Sequence, residues 1–417
     1  MRTTSALNSR FTATLAVFVV VNVVLAVALG GGGTGLANVF KQNTRFTDPM
    51  YGTWTWWTIR AYFDEPRAPD VVLLGSSQMN SAAWAGDAWA LRQPVDCIAH
   101  RRVVALEQKL KERLGGGDDL KVLNCAFQGA MASDYYMVGR ALFSDDRKPK
   151  MVIVGVSPRD FIDNKLVAAS ATEPFRFLSP YVDTGQLSAI AFPDVYARLN
   201  AESEWALNRL GLRRVHDLCD SWVTARNSSA NNATQTSESP LLNAIRNSSL
   251  RVKPGDYMVP ADMRDVWVDN TSEYSERYKN PNPPSYNIQL AFFSKFLSLM
   301  QEKDIKTVVV GMPTLPMNRA LLPNSFWSSY RQSLASLCTA NGAQWCDMSE
   351  NEQFQKHDFV DTVHVNTRGA IKLISAFAEV STGAPELAEY AHRDTPIISP
   401  VSDGAARKVA GVQQGWN

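Results

Sequence analysis

Cysteine is scarce in this chain of 417 residues: Cys97, Cys125, Cys219, Cys338 and Cys346 are all there are. They are too few and too scattered for a disulfide framework or a zinc-ligand set, and their odd number leaves at least one unpaired. Cys338 and Cys346 flank a short helix-to-strand turn and could pair outside the cytoplasm; buried free thiols fit the sequence equally well. An excess of charge is also missing, since 42 Lys and Arg face 41 Asp and Glu for a net charge of +1. Without a concentrated basic face, nucleic acid is not expected as a partner. Histidine numbers only five, so imidazole chemistry has few places to sit. No metal or organic cofactor is implied.

Long uncharged runs are equally rare, and the one that matters comes first. Residues 11–29 carry no charge and only Thr12, Thr14 and Asn22 as polar side chains, enough apolar length to cross a bilayer. Arg2 and Arg10 precede the run, so the positive-inside rule keeps residues 1–10 in the cytoplasm and sends the rest outward. The expectation is a single-pass signal anchor with an extracytoplasmic domain, periplasmic or at the cell surface. A cleaved signal peptide is the competing reading, because Ala26-Val27-Ala28 has the small-x-small form of a cleavage site. Residues 30–65 then form a linker and membrane-proximal segment, opening with the flexible glycine-rich stretch 30–35. Trp54, Trp56 and Trp57 suit either a membrane interface or, the preferred use, packing the first helix on the domain.

What is present in quantity is apolar residues, 45% of the chain, arranged as short runs between amphipathic stretches. Strands are expected at 71–74, 120–124, 151–156, 306–311 and 343–346, and helices at 101–114, 130–143, 286–302, 325–340 and 367–380. Strands alternating with helices imply an α/β fold with a mostly parallel sheet covered on both faces. The domain spans 66–381. An insert at 165–285 breaks the alternation, partly helical over 178–212 and polar and low in complexity at 227–237. It leaves the sheet near the catalytic edge, which makes it a natural lid or substrate platform. Its aromatics Trp205, Tyr257, Trp267, Tyr274, Tyr278 and Tyr286 suit either stacking on sugar rings or a small satellite core. The tail, 382–417, has no clear periodicity and reads as peripheral.

Chemistry concentrates at two places. Val71-Val72-Leu73-Leu74 is a buried strand, and Gly75-Ser76-Ser77 a tight turn into a helix, which sets a hydroxyl at the carboxyl end of the strand. A helix start there points free N–H groups at whatever the hydroxyl attacks. Near the other end, Asp361 stands three residues before His364 and just ahead of a helix start. The carboxylate can orient the imidazole, which is then free to take a proton from a serine. His357 also has a neighbouring carboxylate, Asp358, but adjacent side chains on a loop diverge, so His357 reads as solvated or as a support behind the site.

These blocks resemble those of the SGNH, or GDSL-like, hydrolase superfamily: an apolar strand ending in Gly-Asp-Ser, and a final Asp-x-x-His. Aligned on Gly75, the resemblance makes Ser77 the nucleophile, with Ser76 in place of the usual aspartate. The Gly-Ser-Ser form looks most like the membrane-associated branch that includes D-alanine transfer and alginate O-acetylation proteins. Asn124 and Gly129 match the second block, which implies that Gly129 N–H joins Ser77 N–H in the oxyanion hole. The third block, Gly-x-Asn-Asp, is not matched; Gly155-Val156-Ser157-Pro158-Arg159-Asp160 stands there instead. Ser157, Arg159 and Asn124 are therefore the candidates for further oxyanion or substrate contacts. The fold implied is a three-layer αβα sandwich, flavodoxin-like, with an N-terminal transmembrane helix and the large insert.

The resemblance implies a serine esterase or O-acyltransferase acting on acyl esters, acetyl first among them, of a cell-surface or exported polysaccharide through Ser77, His364 and Asp361. It also admits a membrane partner that hands over the acyl group. Two alternatives stand beside it. An apolar pocket next to Ser77 would speak for a lipid-active esterase or lysophospholipase, and separation of Ser77 from His364 by more than about 5 Å for a non-catalytic carbohydrate-binding protein.

Overall fold

The computed structural model describes residue 36 and residues 51–115, 119–166, 168–187, 205–206, 251–279, 283–384 and 386–387. The apolar run at 11–29, the glycine-rich stretch at 30–35, the low-complexity segment at 227–237, Cys219 and most of the tail lie outside these. Among the described residues no helix is long and apolar enough to cross a membrane.

Five strands form one parallel sheet: β1 (Val71–Leu74), β3 (Val122–Asn124), β4 (Met151–Val156), β6 (Lys306–Gly311) and β7 (Gln344–Asp347), in the order β3-β1-β4-β6-β7. A separate antiparallel pair joins β2 (Val95–Asp96) to β5 (Met258–Val259). The helices are α1 (Trp54–Asp64), α2 (Ser77–Leu91), α3 (Val104–Leu114), α4 (Ala132–Leu142), α5 (Arg159–Ile162), α6 (Glu173–Leu178), α7 (Thr271–Tyr278), α8 (Pro283–Glu302), α9 (Pro316–Arg319), α10 (Asn324–Ala340) and α11 (Thr367–Thr382).

The continuous apolar runs of β1 and β4 follow from burial on both faces. Successive side chains point to opposite sides, so Val72, Leu74, Val152 and Val154 enter one core while Val71, Leu73, Met151 and Ile153 enter another. The first core is closed by α1, α4, α8 and α10, with Tyr135, Phe161, Phe293 and Phe296 packed ring against ring at its centre. The second is closed by α2, α3 and α11 through small side chains such as Ala82 and Ala370 beside Leu106, Leu373 and Phe377.

Local departures from the expected boundaries have local reasons. Residues 101–103 precede α3 as extended chain, because Arg102 bridges to Leu123. α8 begins at Pro283 rather than 286, a residue whose fixed φ suits a first helical turn. Cys338 is a free buried thiol, so the pairing with Cys346 is not made. The tryptophans of α1 pack on the domain: Trp56 is buried, Trp57 Nε1 donates to Val252 O at 2.8 Å, and Trp54 lies against Trp84 and Tyr257. In the described part of the insert Tyr274 and Tyr278 are buried in the first core, and Tyr286 packs beside Phe161 and Phe326, so these three do not form an exposed sugar platform.

Phe293 is fully buried at the centre of its cluster. Phe293→Ala is expected to lower unfolding stability by about 3–5 kcal/mol, measured by urea denaturation, with little change in the urea dependence.

Candidate active site

Two turns from opposite ends of the domain meet at the carboxyl edge of the sheet. β1 ends at Leu74, and Gly75 swings the chain into α2 with φ +155°. A Cβ there would stand 2.7 Å from Met79 Cβ and 3.1 Å from Gly155 O, so the turn presses on β4 only because residue 75 is glycine. Ser77 is the first residue of α2, where backbone N–H groups have no intrahelical acceptor. Gly129 follows β3 in a loop with φ +71°, tied to the serine turn by the 3.0 Å bond from Phe127 N–H to Gly75 O. Among the described residues, neither the Ser77 nor the Gly129 N–H donates to a backbone acceptor outside regular helix and sheet pairing. Both are available to a developing negative charge.

The second turn is built by Asp361. Its Oδ1 accepts the N–H groups of Val363 at 2.9 Å and His364 at 2.7 Å, which folds the loop back on the carboxylate. Oδ2 is left for His364 Nδ1 at 2.6 Å, and His364 Nε2 stands 2.7 Å from Ser77 Oγ. With Nδ1–H donating to the carboxylate, Nε2 accepts from the serine hydroxyl, the arrangement that proton abstraction requires. Burial, the largest single influence, acts to raise the Asp361 pKa. The His364 side chain and the amides of His364 and Val363 outweigh it, and the carboxyl lies below its ordinary value. It is therefore ionised beside the imidazole at neutral pH.

The loop between these partners is clamped from outside. Asn270 Oδ1 accepts from Thr362 N–H at 3.0 Å and Thr362 Oγ1 at 2.5 Å, while Asn318 Nδ2 donates to Thr362 Oγ1 at 2.9 Å. Asn366 caps α11, its Oδ1 accepting from Arg368 N–H at 2.9 Å and Gly369 N–H at 3.4 Å. A second His–Asp pair has another use. Asp87 Oδ2 lies 2.6 Å from His100 Nε2, and the same carboxylate accepts the Val104 and Ala105 N–H groups that start α3. His357 is 61% exposed at its side chain and joins neither site.

The three remaining candidate side chains are buried among the loops around the site. Asn124 is buried; its Nδ2 donates to Asn80 Oδ1 at 2.9 Å and its Oδ1 accepts from Ala126 N–H at 3.0 Å, bracing α2 against the loop that holds Gly129. Ser157 is buried and gives its N–H to Asp160 Oδ2 at 2.9 Å. Arg159 donates from Nε to Asp163 at 2.9 Å and from Nη1 to Ala130 O at 2.6 Å, one residue beyond Gly129. Arg277 pairs with the same Asp163 at 2.5 Å. Arg159 thus positions the Gly129 loop.

A cavity of about 370 Å³ opens beside Ser77, Asp361 and His364. Ser81, Trp84 and Ala85 of α2 form one wall, Val360 and Val365 of the Asp361–His364 loop another, and Cys97, Val259 and Met263 the far side; Gln128 also lines the cavity. The sequence offered no sign of the far side, because β2 and β5 have two residues each, too short for alternation to register. Asn270 likewise stands in a polar stretch, Asn270-Thr271-Ser272, whose composition carries no sign of its role beside Thr362. Compared with known proteins, the chain matches no family model and no curated sequence.

Asp160 lies under the serine turn, and burial pushes its carboxyl up to about 6 against the pull of Arg159, the Ser157 N–H and the Ser76 and Tyr135 hydroxyls. Between an unfolded pKa of about 3.9 and the folded value the native state holds more protons than the unfolded chain, so stability falls as pH rises through that window. The loss is on the order of 3 kcal/mol for this single group. Urea titrations from pH 4 to pH 7 are expected to show it in the wild type and to show a flatter profile in Asp160→Asn.

Proposed function

We propose that this protein is a serine ester hydrolase or O-acyltransferase, anchored by its N-terminal segment outside the cytoplasm and acting on acyl esters of a cell-surface or exported polysaccharide. The observation that carries the reading is the chain of hydrogen bonds from Ser77 Oγ to His364 Nε2 at 2.7 Å and from His364 Nδ1 to Asp361 Oδ2 at 2.6 Å. That separation favours an enzyme over a protein that only binds, and the mostly apolar cavity beside Ser77 supports a lipid-active esterase as the second reading. The strand order β3-β1-β4-β6-β7 supports the SGNH arrangement as well. It is the doubly wound order of flavodoxin-like, three-layer αβα folds, and Ser77 follows β1 at the point where that order reverses.

The reaction would run through an acyl-enzyme. His364 Nε2 takes the Ser77 proton as Oγ forms a bond to the ester carbonyl carbon, and the carbonyl oxygen becomes an oxyanion facing the N–H groups of Ser77 and Gly129. Asp361 holds the imidazole in the required tautomer and stabilises its cation. Collapse of the intermediate breaks the bond to the leaving oxygen, which receives the proton from His364. A water molecule or an acceptor hydroxyl then gives its proton to His364 and attacks the acyl carbon, and as the bond to Ser77 Oγ breaks His364 returns the proton to that oxygen. Water makes an esterase, a sugar hydroxyl a transferase; the same residues serve both.

Hydrolysis of p-nitrophenyl acetate tests this directly. Ser77→Ala and His364→Ala are each expected to lower kcat at least about a thousandfold, and Asp361→Asn on the order of ten-thousandfold through loss of the tautomer. Unchanged turnover in Ser77→Ala would remove the assigned nucleophile. Adding deacylated polysaccharide to the wild type separates the two outcomes by whether the acyl group appears on sugar.

A further inference from the structure

We propose that the cavity beside Ser77 holds the acyl chain of the substrate and selects medium-length apolar acyl groups over the acetyl group that the resemblance suggests. The inference rests on the acyl-transfer reading of Ser77 and adds to it the part of the substrate that the enzyme grips.

The shape comes first. Ser77, Ser81, Trp84 and Ala85 recur at four, seven and eight residues, one face of α2, so the cavity runs along the helix away from the nucleophile. Eight residues of α-helix cover about 12 Å, far more than an acetyl methyl occupies. The volume of about 370 Å³ lies in the range of roughly 300–1,000 Å³ typical of small-ligand pockets.

The lining decides what fits. Sugars need several converging donors and acceptors, whereas here the walls beyond Ser77, Asp361 and His364 are mostly apolar, Trp84, Ala85, Val259, Met263, Val360 and Val365, with Gln128 and the unpartnered Trp84 Nε1–H as the polar exceptions besides Ser81. Ser81 is polar, but its hydroxyl donates to Gln78 O at 3.0 Å. Cys97 is a buried thiol whose pKa burial raises to about 11, so it stays neutral and behaves as a small apolar group. The far wall is built rather than draped: Cys97 N–H donates to Tyr257 O at 2.9 Å, and Met263 N–H to Thr367 Oγ1 at 2.9 Å. A preformed apolar wall costs little to order when a chain enters.

The acyl side is favoured over the alcohol side by the order of events. The alcohol must depart past His364 and an acceptor must arrive by the same route, so that side has to stay accessible. The acyl group remains on Ser77 throughout, and a fixed apolar pocket serves the part that does not leave.

The test uses the purified full chain and p-nitrophenyl acetate, butyrate, hexanoate and octanoate, with Ser77→Ala as the control for enzyme-dependent turnover. We expect kcat/KM to rise about fourfold per added methylene, the equivalent of about 0.8 kcal/mol, hence on the order of a hundredfold from acetate to hexanoate. Ser81→Phe, which fills the cavity, is expected to cut the hexanoate-to-acetate ratio at least tenfold. Val259→Phe reads the same ratio from the opposite wall if the first variant does not fold. A flat or falling series with Ser77-dependent acetate turnover overturns the acyl pocket and leaves the acyl-transfer reading intact. So does a preference that rises only when the alcohol of an acetate ester is lengthened. Absence of Ser77-dependent turnover for every ester overturns both.

Discussion

The hydrogen bond between Ser77 and His364 joins residues 287 positions apart, and much of the architecture serves to bring them within 2.7 Å. Neither turn could reach the other from a flat or open surface. The parallel sheet solves this by aligning the carboxyl ends of all its strands on one edge. β1 then delivers the serine, and the segment after β7 delivers the histidine from the same side. Packing of α2 and α11 in one apolar core fixes the angle at which the two turns approach.

Around that bond the protein has placed rigid supports rather than further chemistry. Thr362 is pinned by Asn270 and Asn318, so the peptide between Asp361 and Val363 has one position. On the opposite flank Arg159 holds Ala130 O, Asn124 holds Asn80 and Ala126, and Phe127 holds Gly75. Each is a buried polar group with a defined partner, which is how a site keeps its donors aimed without relying on the substrate. Next to that flank, Arg159 and Arg277 share the buried carboxylate of Asp163.

What could be read from the sequence alone divides along a physical line. The strands at 71–74, 151–156 and 306–311 were legible because burial on both faces writes a continuous apolar run. The Asp361–His364 contact was legible because it is local, three residues within one loop. Pairing that histidine with Ser77 needed family resemblance, since spacing says nothing about residues from opposite ends of a domain. The cavity wall was beyond reach for the same reason: Cys97, Val259 and Met263 come together through two-residue strands and backbone bonds, which carry no composition signal. Asn124, Ser157 and Arg159 were marked by position in motifs, but the partners that hold them, such as Asn80 and Asp163, are revealed by no local pattern.

The segment that supplies Val259 and Met263 enters the chain between β4 and β6, where an insertion leaves the sheet unbroken. Such a piece is in principle exchangeable, and a lineage could reshape the cavity by swapping it as a cassette. Here the exchange is not free. The same segment bonds to Thr367 at the head of α11, to Val360, and through Asn270 to Thr362. Any replacement that reshapes the cavity must also rebuild the clamp on the Asp361–His364 loop, so the shape of the cavity and the placement of His364 are inherited together.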